Sequence, residues 1–184
     1  MTNPYEMLGE HRGVLAWIAV AISTIMFCWL TYHGRELSEH VDSGILALEF
    51  ASNQTDANEV LDDLNVPSKH SNRTLREVAI ANVRWDYLFI VAYVAAIAVV
   101  CGFAAKETDG TWSIVLITLA WLQLAAGGLD VVENLCMTSM LKAGSVASST
   151  IPQVTSLCAK VKFFIALTGA GFGILFSAFA LCKR

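Results

Sequence analysis

The feature that most constrains this sequence is a set of four uncharged segments, each long enough to cross a lipid bilayer. They span residues 13–32, 87–105, 110–129 and 163–182, and none contains Asp, Glu, Lys, Arg or His. An α-helix needs about 20 apolar residues to cross ~30 Å of hydrocarbon, whereas the strands of a membrane β-barrel alternate in polarity over about 10 residues. The pattern therefore predicts an all-α fold with a bundle of four transmembrane helices.

The composition agrees with a membrane protein and excludes several other classes. Hydrophobic residues make up 55% of the chain and charged residues 15%, against roughly 25% charged residues in soluble domains, and the mean hydropathy is +0.56. These values argue against a soluble enzyme or a disordered chain. The 12 basic residues are outnumbered by 16 acidic ones, so no nucleic-acid partner is expected. The sequence predicts a multi-pass membrane protein, with membrane lipids as partners and a membrane-protein partner left open.

The first segment is predicted to be retained in the mature protein. The residues before it include Glu6, Glu10 and Arg12, whereas a cleaved signal peptide begins with a positively charged region. Four crossings place both termini on one side of the membrane, here named side A, and side B is the opposite one. Eight of the 12 basic residues fall on side B, which favours side B as cytoplasmic and the termini as outside.

Residues 33–85, between the first two membrane helices, are predicted to form an extramembrane helical cap. Residues 33–86 carry ten of the 16 acidic residues, and a structureless connection of this length would be unusual. Asp56-Ala57-Asn58-Glu59 matches a capping box, and Ala57, Val60, Leu61 and Leu64 follow at helical spacing. Gly44 to Phe50 is a second, shorter helical candidate.

A second capping box, Thr74 with Glu77, predicts a helix that begins at Leu75 and continues without a break to Ala105. Such a helix would be roughly 46 Å long at 1.5 Å per residue. Its first three turns should therefore project beyond the membrane on side B, where the cap helices should pack against them. The short link at residues 106–109 predicts an antiparallel hairpin with the third membrane helix, which should extend to residue 134.

The four helices also bring their polar residues to the same side of the membrane. On the third helix, Gln123, Gly127, Asp130, Glu133 and Asn134 lie within about ±60° of one line at 100° per residue. Polar residues in membrane helices almost always face the bundle interior. The predicted inward cluster on side B consists of Asp86, Tyr93, Asp130, Glu133, Asn134 and Lys162, with Gln123 deeper in the membrane.

Three interpretations of this cluster stay open. It could be a salt-bridge network that holds the helices and the cap together, a site for a lipid headgroup or a cation, or a catalytic site. In the catalytic case Asp130 or Glu133 would be the general base and Lys162 would steady an anionic headgroup. No His joins the cluster, so no zinc or iron site and no cofactor is predicted. The favoured function is a non-enzymatic binding or accessory membrane protein, with an interfacial lipid enzyme as the alternative.

Three short motifs carry a resemblance to a known group. The string Asp86-x-x-Phe89-Ile90-x-x-Tyr93, the string Asp130-x-x-Glu133-Asn134 and the pair Lys162-Phe163 resemble those of an uncharacterised group of small four-helix bacterial membrane proteins. The resemblance covers roughly residues 44–163. It implies a four-helix fold, a set of polar residues and a location in a bacterial inner membrane or plasma membrane, and it implies no activity.

Overall fold

The chain is almost entirely helical. The structure, a computed structural model, describes residues 2–182. Met1, Lys183 and Arg184 lie outside the described residues, and Lys183 is the predicted boundary of the last membrane segment. Within residues 2–182 a short 3₁₀ helix, Glu6–His11, precedes seven α-helices, and no β-strand occurs. The α-helices are α1 (Arg12–His33), α2 (Arg35–His40), α3 (Leu46–Phe50), α4 (Gln54–Asp63), α5 (Leu75–Lys106), α6 (Thr111–Ala143) and α7 (Thr150–Cys182).

Four helical segments are long and apolar enough to cross a membrane. They are Glu6–His33, which contains α1, and the helices α5, α6 and α7, which have 32, 33 and 33 residues. Each coincides with one of the four uncharged segments. The predicted fold class, all-α with four long apolar helices, is confirmed.

Helix α5 is continuous from Leu75 to Lys106, as the capping box of Thr74 and Glu77 predicts. The backbone N–H of Thr74 donates to Glu77 Oε2 at 2.8 Å, and the backbone N–H of Glu77 donates to Thr74 Oγ1 at 3.3 Å. These reciprocal hydrogen bonds satisfy N–H groups that the helix itself leaves unpaired at its start. The helix continues because no Pro interrupts it.

The capping box predicted for the cap helix is wrong by three residues. The N-cap of α4 is Asn53, in extended conformation, and its side chain accepts a hydrogen bond from the backbone N–H of Asp56 at 2.9 Å. The Asn53 amide also donates to the Asp56 carboxylate at 2.7 Å. Asp56 is therefore the partner of the cap and already lies within the helix. The predicted helix at residues 44–50 is shorter in the structure, because Gly44 has a φ of 60° and α3 begins only at Leu46.

Helices α6 and α7 extend beyond their predicted membrane segments. Helix α6 continues nine residues past the predicted end at 134, and α7 begins at Thr150, well before residue 163. Gly144 follows α6 with a φ of 73°, the left-handed conformation that commonly ends a helix. Pro152 lies in the first turn of α7, where a missing N–H costs no helical hydrogen bond.

The described chain divides into two compact units. The first contains residues up to Met26, Ile90–Gly128 and the residues from Val161 onward. Here Gly173 allows close helix packing, because a Cβ built on it would lie 3.3 Å from the backbone nitrogen of Cys101. The N-terminal segment packs on α5 in this unit, where the Asn3 side-chain amide donates to the Gly102 carbonyl at 2.9 Å.

The second unit contains Phe27–Phe89 and Leu129–Lys160, and its core is formed by the cap. As predicted, the cap helices pack against the first turns of α5, and they also contact the last turns of α6. Asn58 ties α4 to the segment after α6: its amide donates to the Val146 carbonyl at 3.1 Å and accepts from the Val146 N–H at 2.7 Å. The buried core residues are Leu37, Val41, Leu48, Ala51, Ala57, Leu61, Leu64, Leu75, Ala79, Val83, Met137, Met140, Leu141 and Val146.

The close packing in the first unit gives a prediction for two adjacent glycines of α6. A Cβ on Gly127 would lie 2.8 Å from Val94 Cγ2, whereas one on Gly128 would meet no atom within 4 Å. Because the side chain of Val94 is stiff in a helix, Gly127→Ala should lower the free energy of unfolding by about 1–2 kcal/mol. Gly128→Ala should instead be neutral or stabilising, since Ala is a better helix former. Melting temperatures in one detergent would compare the two variants, and equal values would contradict the packing.

Candidate functional site

The polar stripe predicted on the third membrane helix is buried along its length. Gln123 and Glu133 are fully buried, and Asp130 and Asn134 are 4% and 1% exposed. Gly127 between them is also buried. This face of α6 therefore points into the protein and away from lipid.

The structure brings together two residues of the predicted cluster, Asp86 on α5 and Asn134 on α6. The Asn134 side-chain amide donates to Asp86 Oδ2 at 2.6 Å. This is a charge-assisted hydrogen bond, which is stronger than a neutral one. The Asn134 Oδ1 atom is buried and accepts no hydrogen bond within residues 2–182.

Of the remaining cluster residues, Tyr93 and Lys162 belong to the first unit, and Asp130 and Glu133 belong to the second. Lys162 is 6% exposed, and its Nζ lies 5.0 Å from the centroid of the Phe163 ring. Tyr93 is 8% exposed. Gln123, fully buried, donates to the Leu119 carbonyl at 3.1 Å. A single network that joins all six predicted residues stays a prediction.

The second unit contains an accessible groove that sequence analysis did not predict. The groove has a volume of about 860 Å³ and lies between the end of α1, helix α2, the loop at residues 68–73 and the first turns of α5. Tyr32 and Trp85 line it and are 73% and 47% exposed. Both residues adjoin the ends of uncharged segments, so the sequence places the groove at the membrane–water boundary, where Tyr and Trp are enriched.

The end of α1 is held against α5 next to this groove. The Asn82 side-chain amide donates to the Leu30 carbonyl at 3.2 Å, and this carbonyl also accepts from the backbone N–H of Gly34 at 2.7 Å. The rings of Trp29 and Trp85 pack edge to face with centroids 6.2 Å apart. These contacts fix one wall of the groove.

Basic side chains outnumber acidic ones in the groove. The acidic side chains among the described lining residues are Glu36 and Glu39. Glu39 forms an ion pair with Arg35 at 3.3 Å. The basic lining residues are His33, Arg35, Lys69, His70 and Arg73.

Glu36 lies at the base of the groove and binds the loop at residues 68–73. It is 9% exposed, its Oε2 accepts from Ser68 Oγ at 2.8 Å, and its Oε1 accepts from the backbone N–H of Lys69. Burial alone would raise the pKa of this carboxyl, but the two hydrogen bonds and the neighbouring imidazoles of His70 and His40 together lower it by more. The pKa therefore lies below its ordinary 4.5. The stabilisation from the ionised carboxylate is thus complete above pH 4.5 and is lost as the pH falls through the lower folded-state value.

The groove is not evident in the sequence because its residues are far apart in the chain. The segment from Tyr32 to Glu39 meets residues 68–73 and the first turns of α5, and Glu36 counted only as one of many acids in the cap. The sequence feature that could have indicated the groove is the concentration of basic residues in Lys69-His70-Ser71-Asn72-Arg73, next to an apolar helix.

The fold defines the class of this protein as a multi-pass integral membrane protein with a helical cap. Comparison with protein-family models, curated proteins and solved structures finds no match for the chain. Within the described residues, no group of three or more His, Cys, Asp or Glu side chains is placed to hold a metal ion. The accessible chemistry in the groove is that of cations and hydrogen-bond donors beside aromatic rings.

Proposed function

We propose that this protein is a non-catalytic membrane protein that binds the headgroup of a membrane lipid in the groove between α1, α2 and α5. The observation that carries the proposal is the lining of the groove, which combines exposed aromatic rings with basic side chains at the membrane–water boundary. Aromatic and basic residues at this depth contact lipid headgroups in membrane proteins. We place the protein in a bacterial inner membrane or plasma membrane, as the resemblance implies.

The buried cluster on α6 then has a structural role. Asp130 and Glu133 are 4% and 0% exposed, whereas a general base must lie within hydrogen-bond reach of the proton that it removes. A lipid at the surface of the folded protein would not reach these carboxylates. This burial supports a binding protein over the alternative, an interfacial lipid enzyme that uses Asp130 or Glu133.

The proposal predicts that Trp85→Ala weakens lipid binding and that Trp112→Ala does not. The two side chains are matched in exposure, at 47% and 48%. Trp85 lines the groove, whereas Trp112 packs on Phe172 and Phe176 in the first unit. Loss of the ring should weaken binding about two- to tenfold, equivalent to ~0.5–1.5 kcal/mol.

Native mass spectrometry of the purified full chain would measure the binding, with phosphatidylglycerol and phosphatidylethanolamine titrated separately. Circular dichroism would show that both variants keep their helix content. Equal adduct populations for wild type, Trp85→Ala and Trp112→Ala would refute the groove as the lipid site. Hydrolysis of either lipid by the wild type, lost in Asp130→Asn, would instead establish the enzyme.

A further inference from the structure

We propose that the groove selects anionic phospholipid headgroups, that Lys69 and Arg73 bind the phosphate, and that Glu36 positions the loop that carries them. This inference rests on the proposed function, because it names the class of lipid that the same groove binds.

The charges that the groove leaves available to a ligand are positive. Arg35 is paired with Glu39 at 3.3 Å, and both oxygens of Glu36 accept hydrogen bonds from Ser68 and Lys69. Among the described lining residues, both carboxylates are therefore already engaged. The ammonium of a zwitterionic headgroup would therefore find no carboxylate free to pair with it, whereas the net negative charge of an anionic headgroup would be attracted by the exposed cations.

Two of the cations that line the groove are suited to binding a phosphate. Lys69 and Arg73 are exposed and take part in no ion pair within residues 2–182. Arg presents a planar set of donors that can bind two phosphate oxygens together, and Lys supplies a compact charge with three donors. A phospholipid phosphate is anchored by its acyl chains at the depth of this groove, which favours a lipid over a soluble phosphate.

The loop that carries these two cations is held by a set of hydrogen bonds. The backbone N–H of Ser68 donates to the Arg73 carbonyl at 2.8 Å and closes the loop. Ser68 Oγ donates to Glu36 at 2.8 Å and accepts from the N–H groups of His70 and Ser71 at 3.2 and 3.1 Å. Glu36 thus fixes, through Ser68, the backbone that carries Lys69 and Arg73.

Because of this arrangement, the direction in which Glu36→Ala changes lipid binding distinguishes a positioning role from a purely electrostatic one. Glu36→Ala removes a negative charge from a groove that binds an anion, so electrostatics alone would strengthen binding. If Glu36 positions the loop, the same substitution should weaken binding by about three- to tenfold, because Lys69 and Arg73 lose their fixed geometry. Glu39→Ala is the matched control, since Glu39 also lines the groove but makes no bond to the loop. Glu39→Ala should leave binding unchanged or strengthen it.

Native mass spectrometry of the full chain in one detergent would test selectivity, with phosphatidylglycerol and phosphatidylcholine as the probes. Wild type should bind phosphatidylglycerol more tightly. The double variant Lys69→Gln/Arg73→Gln should lose about 30-fold in affinity for it, a factor of about five for each charge. The control Arg84→Gln/Lys142→Gln removes two exposed charges from the same unit outside the groove and should lose less than about threefold.

Ser68→Ala provides a second test of positioning, since it leaves every charge in place. It should weaken phosphatidylglycerol binding in the same direction as Glu36→Ala, while the melting temperature of each variant reports any loss of folding. Tighter binding in Glu36→Ala with no change in Ser68→Ala would overturn the role of Glu36.

Other outcomes separate the inference from the proposed function. Equal affinity for phosphatidylglycerol and phosphatidylcholine, with binding lost in Trp85→Ala, would overturn the anionic selectivity and leave lipid binding in place. Displacement of phosphatidylglycerol by equimolar glycerol phosphate would identify a soluble phosphate ester as the ligand and overturn the lipid assignment. No binding of either lipid by the wild type would refute the proposed function itself.

Discussion

Leu61→Ala should lower the free energy of unfolding by about 2–5 kcal/mol, among the largest effects expected of a single substitution in the cap. Leu61 is 1% exposed and belongs to the core in which α4 packs with the first turns of α5 and the last turns of α6. Removing a buried Leu loses its transfer free energy and leaves a cavity that relaxes only partly. The cap is outside the predicted membrane segments, so this core is protected from water by protein alone.

Thermal unfolding in one detergent would measure the effect, and each 1 kcal/mol should shift the melting temperature by about 2–4 °C in a chain of this size. Leu46→Ala is the control, because Leu46 lies on the neighbouring helix α3 and is 41% exposed. Its expected cost is below about 1 kcal/mol. Similar shifts for the two variants would mean that α4 is not packed into a common core.

The membrane helices could be predicted because their signal is local. A run of about 20 uncharged apolar residues is sufficient to identify a crossing, and no knowledge of distant residues is needed. The start of α5 was equally local, since Thr74 and Glu77 are three residues apart and form both bonds of a capping box. The predicted continuity from Leu75 onward followed from the absence of Pro.

The cap was harder to predict because short helices depend on tertiary packing. Helix α2 was missed: its six residues, Arg35–His40, include one Arg, one His and two Glu, and their pattern lacks the periodicity of an amphipathic helix. It is held in place by Leu37, which is fully buried in the cap core, and by Glu36 beneath the loop. The start of α4 was misplaced because Asn53 and Asp56 are both good N-cap residues, and only the extended backbone of Asn53 distinguishes them.

The groove could not be predicted because it depends on contacts between distant segments. Glu36 and Ser68 are 32 residues apart, and Asn82 and Leu30 are 52 apart. Nothing in the spacing of these residues indicates that they meet. The polar stripe of α6 was predictable because its members share one helix, but the residues that they contact on other helices were not.

Lys162→Met should lower the free energy of unfolding by about 1–3 kcal/mol. Lys162 is 6% exposed and precedes 20 uncharged residues of α7. A cation–π contact with Phe163 contributes only about 0.5–2 kcal/mol, so we expect the ammonium to pair with a carboxylate, which the sequence predicts to be that of Asp130 or Glu133. Removing one partner of a buried pair can cost ~3–5 kcal/mol, and less is expected near the membrane boundary.

Lys160→Met is the matched control, because Lys160 lies on the same helix two residues earlier and is exposed. Its replacement should change stability by less than about 0.5 kcal/mol.

The double variant Lys162→Met/Glu133→Gln then tests the pairing itself. If the Lys162 ammonium pairs with the Glu133 carboxylate, the double variant should lose less free energy of unfolding than the two single variants lose in sum. The coupling should be about 0.5–3 kcal/mol. Strict additivity would mean that Glu133 is not the acceptor. Unchanged stability of Lys162→Met with loss of lipid binding would give the cluster a ligand-binding role, because a buried ion pair that only joins helices has no reason to affect lipid.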